Sequence, residues 1–203
     1  MSDEPMYPLF LNLRGRNCVV VGGNAMAEAK VRDLLQAGAK VKVIASEVTN
    51  AIATWARTQR LQWENRHYET ADLRDAFVVV TAAGNNLNAE VYAEAETRNV
   101  LCNAVDDVEH CNCFASSVVR RGPLQIAIST SGNSPALAQR LRLELEQQFG
   151  PEYFTWVKRL GELRRRLLSE LDLDPDIRRR TLHEQASAAA FESFRQLRNQ
   201  EIS

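Results

Sequence analysis

The sequence predicts a doubly wound α/β fold, a parallel sheet with helices on both faces, and three observations carry that prediction. Short apolar runs alternate with helical patterns of roughly ten residues through the first half of the chain. The strand runs lack the polar alternation of a half-exposed sheet, so both sheet faces are expected to be covered. The first run, Asn17-Cys18-Val19-Val20-Val21, feeds directly into Gly22-Gly23-Asn24-Ala25-Met26-Ala27 and then into a helix. Strand, tight glycine turn and helix follow one another as in a Rossmann-like dinucleotide-binding loop.

Each element follows from local chemistry. Positions 17–21 form the first strand, and 27–36 form a helix with Val31, Leu34 and Leu35 inward. Gly38 ends that helix, where a left-handed residue is commonly needed. Positions 40–45 alternate Val41, Val43 and Ala45 as a second strand. A helix over 47–58 carries Ile52 and Trp55, and 61–65 make a short strand. The run 76–81 is a strand, 89–98 a helix with Val91, Tyr92 and Ala95, and 100–104 a last strand. Ligands of such a sheet are expected at the carboxyl ends of its strands.

The pattern then changes. Two β-rich runs, 114–119 and 124–129, are joined by Arg120-Arg121-Gly122-Pro123, a turn by composition. Ser134 and Pro135 open a helix as cap and first residue, running to Gln148 with Leu137, Leu141 and Leu145 on one stripe. Beyond Pro151 the chain reads as helices over 152–171, 175–180 and 184–199. The expected domains are a Rossmann-like unit over 1–112, a small β/α unit over 113–150 and a helical unit over 151–203.

Composition narrows the function classes. The chain has 203 residues, 45% of them apolar, enough to bury a sizeable core. A net charge of -1 and a pI near 6.3 give no electrostatic case for nucleic acid or an anionic membrane. No run approaches the roughly 18 apolar residues of a membrane helix. The start, Met1-Ser2-Asp3-Glu4, is acidic and does not read as a secretory signal. Cys18, Cys102, Cys111 and Cys113 do not form a disulfide-like framework, so a cytoplasmic protein with reduced thiols is expected.

Five segments could carry chemistry. The glycine turn either cradles a pyrophosphate on helix amides or only packs helix on strand. Its middle glycine, which lets backbone approach phosphate, is replaced by Asn24. The second strand ends at Ser46, a candidate ribose contact, with Glu47 the nearest acid. Asn103-Ala104-Val105-Asp106-Asp107 lies past the end of the last strand. Adjacent acids point in different directions, so at most one of the two is expected to face the cleft, as a base or a cation ligand; the alternative is a helix or turn cap. His110-Cys111-Asn112-Cys113 resembles a metal-ligand string, but its spacing is poor for structural zinc, so no permanently bound metal is expected. The loop Ser129-Thr130-Ser131-Gly132-Asn133 either binds an anion or caps its helix. Basic residues of the tail, such as Arg164, Arg165 and Arg166, are interspersed with acids and read as a solvated face.

These residues together resemble the precorrin-2 dehydrogenase/sirohydrochlorin ferrochelatase family, the stand-alone counterpart of the siroheme synthase N-terminal module. The resemblance runs from Tyr7-Pro8-Leu9-Phe10-Leu11-Asn12-Leu13 through Val19–Gly23 and Asn103–Asp107. It is strongest across Val118-Val119-Arg120-Arg121-Gly122-Pro123-Leu124-Gln125-Ile126-Ala127-Ile128-Ser129-Thr130 and Ser134-Pro135-Ala136-Leu137-Ala138. It implies NAD-dependent oxidation of precorrin-2 to sirohydrochlorin, with ferrous iron as a further substrate where the ring is also metallated. It also implies an intertwined homodimer formed through the middle domain. The family aspartate matches Asp106. The cofactor would meet Gly22, Gly23, Asn24, Ala25, Met26, Ser46, Ala83 and Gly84. The polycarboxylate tetrapyrrole would meet Asn103, Arg120, Arg121, Thr130, Ser131 and Asn133. The chain departs from the family at Asn24 and in the shortened stretch Ala82-Ala83-Gly84-Asn85-Asn86-Leu87-Asn88. Two alternatives stay open: a chelatase that has lost NAD, and a non-catalytic NAD(H)-sensing dimer.

Overall fold

The computed structural model describes residues 6–170 and 172–202, so the acidic start Met1-Ser2-Asp3-Glu4 and Leu171 lie outside the described residues. The chain divides into two compact units, Met1–Ala115 and Ser116–Ser203. The first contains β1 (Asn17–Val21), α1 (Ala25–Gln36), β2 (Lys40–Ile44), α2 (Asn50–Arg57) and β3 (Gln62–Glu64). β4 (Val78–Thr81), α3 (Asn85–Arg98) and β5 (Leu101–Ala104) complete it, with short 3₁₀ turns at Thr70–Leu73 and Val108–His110. All five strands are parallel in the order β3-β2-β1-β4-β5.

That order reverses beside β1, so α1 and α2 cover one face and α3 the other. The alternation within β1 shows how: Cys18 and Val20 pack with Val31, Leu34 and Ile52, whereas Val19 and Val21 pack with Leu73, Val91 and Ala95. Successive side chains of a strand point to opposite faces, and an apolar residue at every position is what a sheet buried on both sides requires.

Two helix starts differ from expectation. α2 begins at Asn50 rather than 47, because Thr49 is its cap: its side chain accepts from the Ile52 amide, while its own amide donates to the Gly23 carbonyl at 3.0 Å. α3 begins at Asn85 rather than 89, directly after Gly84, whose φ of +97° suits glycine and makes the turn abrupt. The other end of α3 closes on Asn99 in the left-handed region.

The second unit opens with the hairpin β6 (Ser117–Arg121) and β7 (Leu124–Ile128). Arg120 and Arg121 are therefore strand residues, and only Gly122-Pro123 form the turn, with Gly122 at φ +63° as the first residue of a two-residue loop. α4 (Pro135–Gln148) has the expected Ser134 cap, donated to by the Leu137 amide. Of the stripe on α4, Leu137 is 39% exposed and Leu141 and Leu145 are half-buried, while Ala138 is the buried residue. α5 (Tyr153–Ser169), α6 (Pro175–Gln185) and α7 (Ala188–Ile202) follow. The α6–α7 break falls at Ala186-Ser187, where Ser187 accepts from the Ala190 amide. Phe149, Tyr153, Trp156, Phe191 and Phe194 form an aromatic cluster that gives the tail its core. Among the described residues, no helix is long and apolar enough to cross a membrane.

Two glycines test this packing in opposite directions. A Cβ on Gly23 would lie 1.9 Å from the Glu47 carbonyl oxygen, a backbone atom that cannot rotate away. Gly161, inside α5, has no atom closer than 3.7 Å to such a Cβ. Gly23→Ala is expected to lower stability in urea unfolding by roughly 1–3 kcal/mol or more, whereas Gly161→Ala raises it by roughly 0.5–1 kcal/mol. Equal effects would contradict the close approach. Ile52→Ala, in the fully buried contact of α2 with the sheet, is expected to cost about 2–5 kcal/mol in the same assay; a loss below about 1 kcal/mol would place α2 off the core.

Candidate functional site

A parallel sheet whose order reverses leaves a crevice at the carboxyl ends of its strands, because the adjoining loops diverge to opposite faces. Here the reversal lies between β1 and β4, and a cleft of about 860 Å³ opens there. Another cleft, of about 760 Å³, lies at the opposite strand ends, among Asn17, Lys40, Gln62, Arg74 and Asp75. The two are similar in size, so chemistry separates them. The first alone receives the glycine turn and the N-terminal end of α1.

The glycine turn is fixed by backbone crossings. Gly22 has φ +116°, its amide donates to the Ile44 carbonyl, and a Cβ on it would stand 2.9 Å from the Ala82 carbonyl oxygen. Gly23 passes against Glu47 as described. Asn24 differs: its backbone is extended at φ −75°, which any residue adopts, and its side chain caps α1. The Met26 and Ala27 amides both donate to Asn24 Oδ1 at 3.0 Å, and Asn24 Nδ2 donates to the Ala82 carbonyl at 3.0 Å.

The cleft brings together Gly22, Gly23, Asn24, Met26, Ser46, Ala83, Gly84 and Asp106, all candidates from the sequence. Ala25 is not among its lining residues. Asp106 and Asp107 divide as adjacent acids should. Asp106 lines the cleft from a left-handed backbone at φ +59°, a conformation that aspartate tolerates better than most residues and that often marks functional positions. Asp107 faces His110, whose Nδ1 lies 2.8 Å from both carboxylate oxygens, and it accepts from Asn88 Nδ2 at 3.3 Å. Asn88 is itself buried and accepts from the Thr81 hydroxyl. Burial alone would raise the Asp107 carboxyl, but the hydrogen bonds from His110 and Asn88 hold it below the usual aspartate range.

Among the lining residues outside the sequence candidates are Arg66, His67 and Tyr68. They follow the carboxyl end of β3, and the rule that located Ser46 and Asp106 would have located them too. The Arg66 guanidinium is held by Asp72 and Glu64, and the Tyr68 hydroxyl donates to buried Glu94. Burial, with Glu94 beside it, pushes the Tyr68 phenol above its ordinary range. Both are tethered walls of the cleft.

Asn103 does not reach the cleft. Its amide donates to the Cys113 carbonyl at 3.2 Å and so ties the following segment to β5. Asn112 does the same from the other side, accepting from the Cys102 amide and donating to the Val100 carbonyl. Cys111 Sγ accepts from the Ala104 amide. The His-Cys-Asn-Cys string therefore covers the edge strand β5 with side-chain hydrogen bonds, a common need of an exposed sheet edge. Burial pushes the Cys113 and Cys18 thiols up to about 11 and Cys102 to about 12, so these stay protonated at neutral pH.

The second-unit candidates are also partly committed. Arg121 donates from Nε to the Phe149 carbonyl at 2.7 Å and from Nη2 to the Glu146 carbonyl at 2.9 Å, closing the C-terminal end of α4 where cations are favoured. Arg120 is exposed. In the loop, Thr130 Oγ1 accepts from the Ser134 amide, Asn133 Nδ2 donates to the Thr130 carbonyl, and Ser131 is left-handed at φ +51°. The Ser131 amide donates to Ser129 Oγ.

Comparison with known proteins agrees with this architecture. Residues 9–117 match a family described as putative NAD(P)-binding, and residues 121–148 match the central region of sirohaem biosynthesis proteins. The siroheme synthase of Neisseria meningitidis serogroup C is 38% identical over 146 residues, 71% of this chain and 30% of the relative. That of Nitrosococcus oceani is 36% identical over 165 residues, 81% of this chain and 34% of the relative. The chain thus spans about a third of the length of these curated relatives. The solved structure of SirC, a precorrin-2 dehydrogenase, superposes with a TM-score of 0.74 at 27% identity, covering 90% of each chain. With the NAD(P)-binding match covering more than half its length, the chain belongs to the family described as putative NAD(P)-binding, and the sirohaem central match and the likeness to SirC agree with the resemblance of its motifs to the precorrin-2 dehydrogenase/sirohydrochlorin ferrochelatase family.

Proposed function

We propose that this protein is an NAD-dependent precorrin-2 dehydrogenase that makes sirohydrochlorin, and that the same cleft can present sirohydrochlorin for ferrous iron insertion. One observation carries the reading: the Gly22–Gly23 turn and Asp106 open onto a single cleft at the strand-order reversal. The residues fit a dinucleotide. Two glycines bring the turn close, the amide end of α1 faces the cleft, Ser46 offers a hydroxyl where a ribose would lie, and Ala83-Gly84 form the facing wall.

Bound NAD⁺ would supply the hydride acceptor. The chain supplies the rest. Asp106 holds a carboxylate beside the cleft, where it can take the proton that leaves with ring oxidation or fix the ring's orientation. In metal insertion the same carboxylate can receive pyrrole protons or guide the entering cation. Asp107, held by His110 and Asn88, keeps the turn that presents Asp106 in its left-handed form. Arg120, Thr130, Ser131 and Asn133 are the proposed contacts for the substrate's carboxylates. Asn103 and Arg121, candidates for the same role, have side chains already bound within their own units.

The domain reading belongs to the same proposal: nucleotide binding in 1–112, dimerisation and substrate contact in 113–150, and a helical unit over 151–203. Exposed Leu137 and Leu143 on α4 support a homodimer through the middle segment. Free thiols at all four cysteines go with a cytoplasmic setting.

Anaerobic assay with precorrin-2 tests the proposal. Sirohydrochlorin absorbance is expected to appear only with NAD⁺. Asp106→Asn is expected to lower turnover by about 10²-fold or more while NAD⁺ affinity and melting temperature stay near those of the parent. Near-parental turnover in that variant would remove Asp106 from the chemistry. Iron insertion with no NAD⁺-dependent oxidation would identify a chelatase instead. Cofactor binding with no response to either tetrapyrrole would identify a sensor.

A further inference from the structure

The position where the dinucleotide fingerprint has its phosphate-approach glycine is Asn24, and both polar atoms of its side chain are hydrogen-bonded. Oδ1 accepts from the amides of Met26 and Ala27, the second and third residues of α1. These are N–H groups that a bound phosphate oxygen at a helix N-terminus would take. Nδ2 reaches the other way, to the Ala82 carbonyl just past β4. The side chain therefore bridges the end of β1 and the end of β4, across the floor of the cleft that the pyrophosphate must approach.

Resting on the dinucleotide reading above, we propose that Asn24 is a built-in competitor of the cofactor: its amide holds the place of a phosphate oxygen on α1, and the dinucleotide binds by displacing it. The consequence is chemical and specific. Before binding, α1 is already capped, so the helix end gains less from a phosphate than an uncapped end would. On binding, three hydrogen bonds must be broken and the side chain must turn out of the cleft. Residue 24 thereby sets the cofactor's affinity without touching the reacting atoms. The backbone at this position places no demand for an amide, since φ is −75° and an N-cap glycine is nearly as well tolerated as asparagine. The side chain's work is thus separable from the fold.

Calorimetric titration of NAD⁺, and separately of adenosine, into the parent, Asn24→Gly and Asn24→Ala proteins tests this. The melting temperature of each cofactor-free protein is measured alongside. Asn24→Gly is expected to bind NAD⁺ about tenfold tighter, while its adenosine affinity stays within about twofold, because adenosine carries no phosphate. Asn24→Ala is expected to gain in the same sense and to melt lower without ligand, having lost the cap. Unchanged or weaker NAD⁺ binding in both variants would overturn the proposal and leave the cofactor reading standing, with Asn24 either neutral or a direct phosphate donor. An equal gain for adenosine would also overturn it. Absence of NAD⁺ binding in all three folded proteins would overturn both the competition and the cofactor reading.

Discussion

The close crossing of two backbone segments at Gly23 is the constraint on which the rest of the first unit depends. The turn leaving β1 lies so near the loop leaving β2 that Gly23 has no room for a Cβ beside Glu47, and the Gly23 carbonyl accepts from Thr49. This crossing aims the N-terminal end of α1 at the strand ends and fixes where α2 starts. It also brings Ser46 beside the glycine turn. With Gly22 pressed against Ala82 on the other side, the turn is clamped between β2 and β4. The glycines are thus explained by packing alone, and the part proposed for them in holding a dinucleotide rests on where that packing points the helix.

At the far side of the cleft, two neighbouring carboxylates have different surroundings. Asp107 is bound by His110 and Asn88, and through Asn88 to Thr81 at the end of β4. Asp106 is left facing the cleft from a left-handed backbone. A strained residue persists where its surroundings over-determine it. Here the surroundings are the Asp107 network and the side-chain hydrogen bonds that bind residues 111–113 along β5.

Much of the fold was legible in the chain because its signals are local. Short apolar runs placed β1, β4 and β5, the alternation of Val41, Val43 and Ala45 placed β2, and Ser134-Pro135 marked the start of α4 to the residue. What escaped depended on contacts between distant segments. The start of α2 is set by Thr49 bonding across to Gly23, and Arg121 belongs to a strand because its partner is Leu124. In the site, position past a strand end located Ser46 and Asp106 but says nothing of which side chains are already occupied. Asn103 and Arg121 have the right chemistry for a substrate contact, yet both donate to carbonyls of their own units. Asn24 read as a departure from the glycine pattern at the cofactor turn; its cap on the Met26 and Ala27 amides is local, but its bond to the Ala82 carbonyl exists only once the end of β4 is folded beside it.

The cofactor site proposed here is the cleft at the β1/β4 reversal, not its similarly sized counterpart at the opposite strand ends. Titration of NAD⁺ into ¹⁵N-labelled protein, followed by amide chemical shifts, separates the two most directly. The largest changes are expected on Gly22, Gly23, Asn24, Ser46, Gly84 and Asp106. Changes centred on Lys40, Gln62, Arg74 and Asp75 would contradict it.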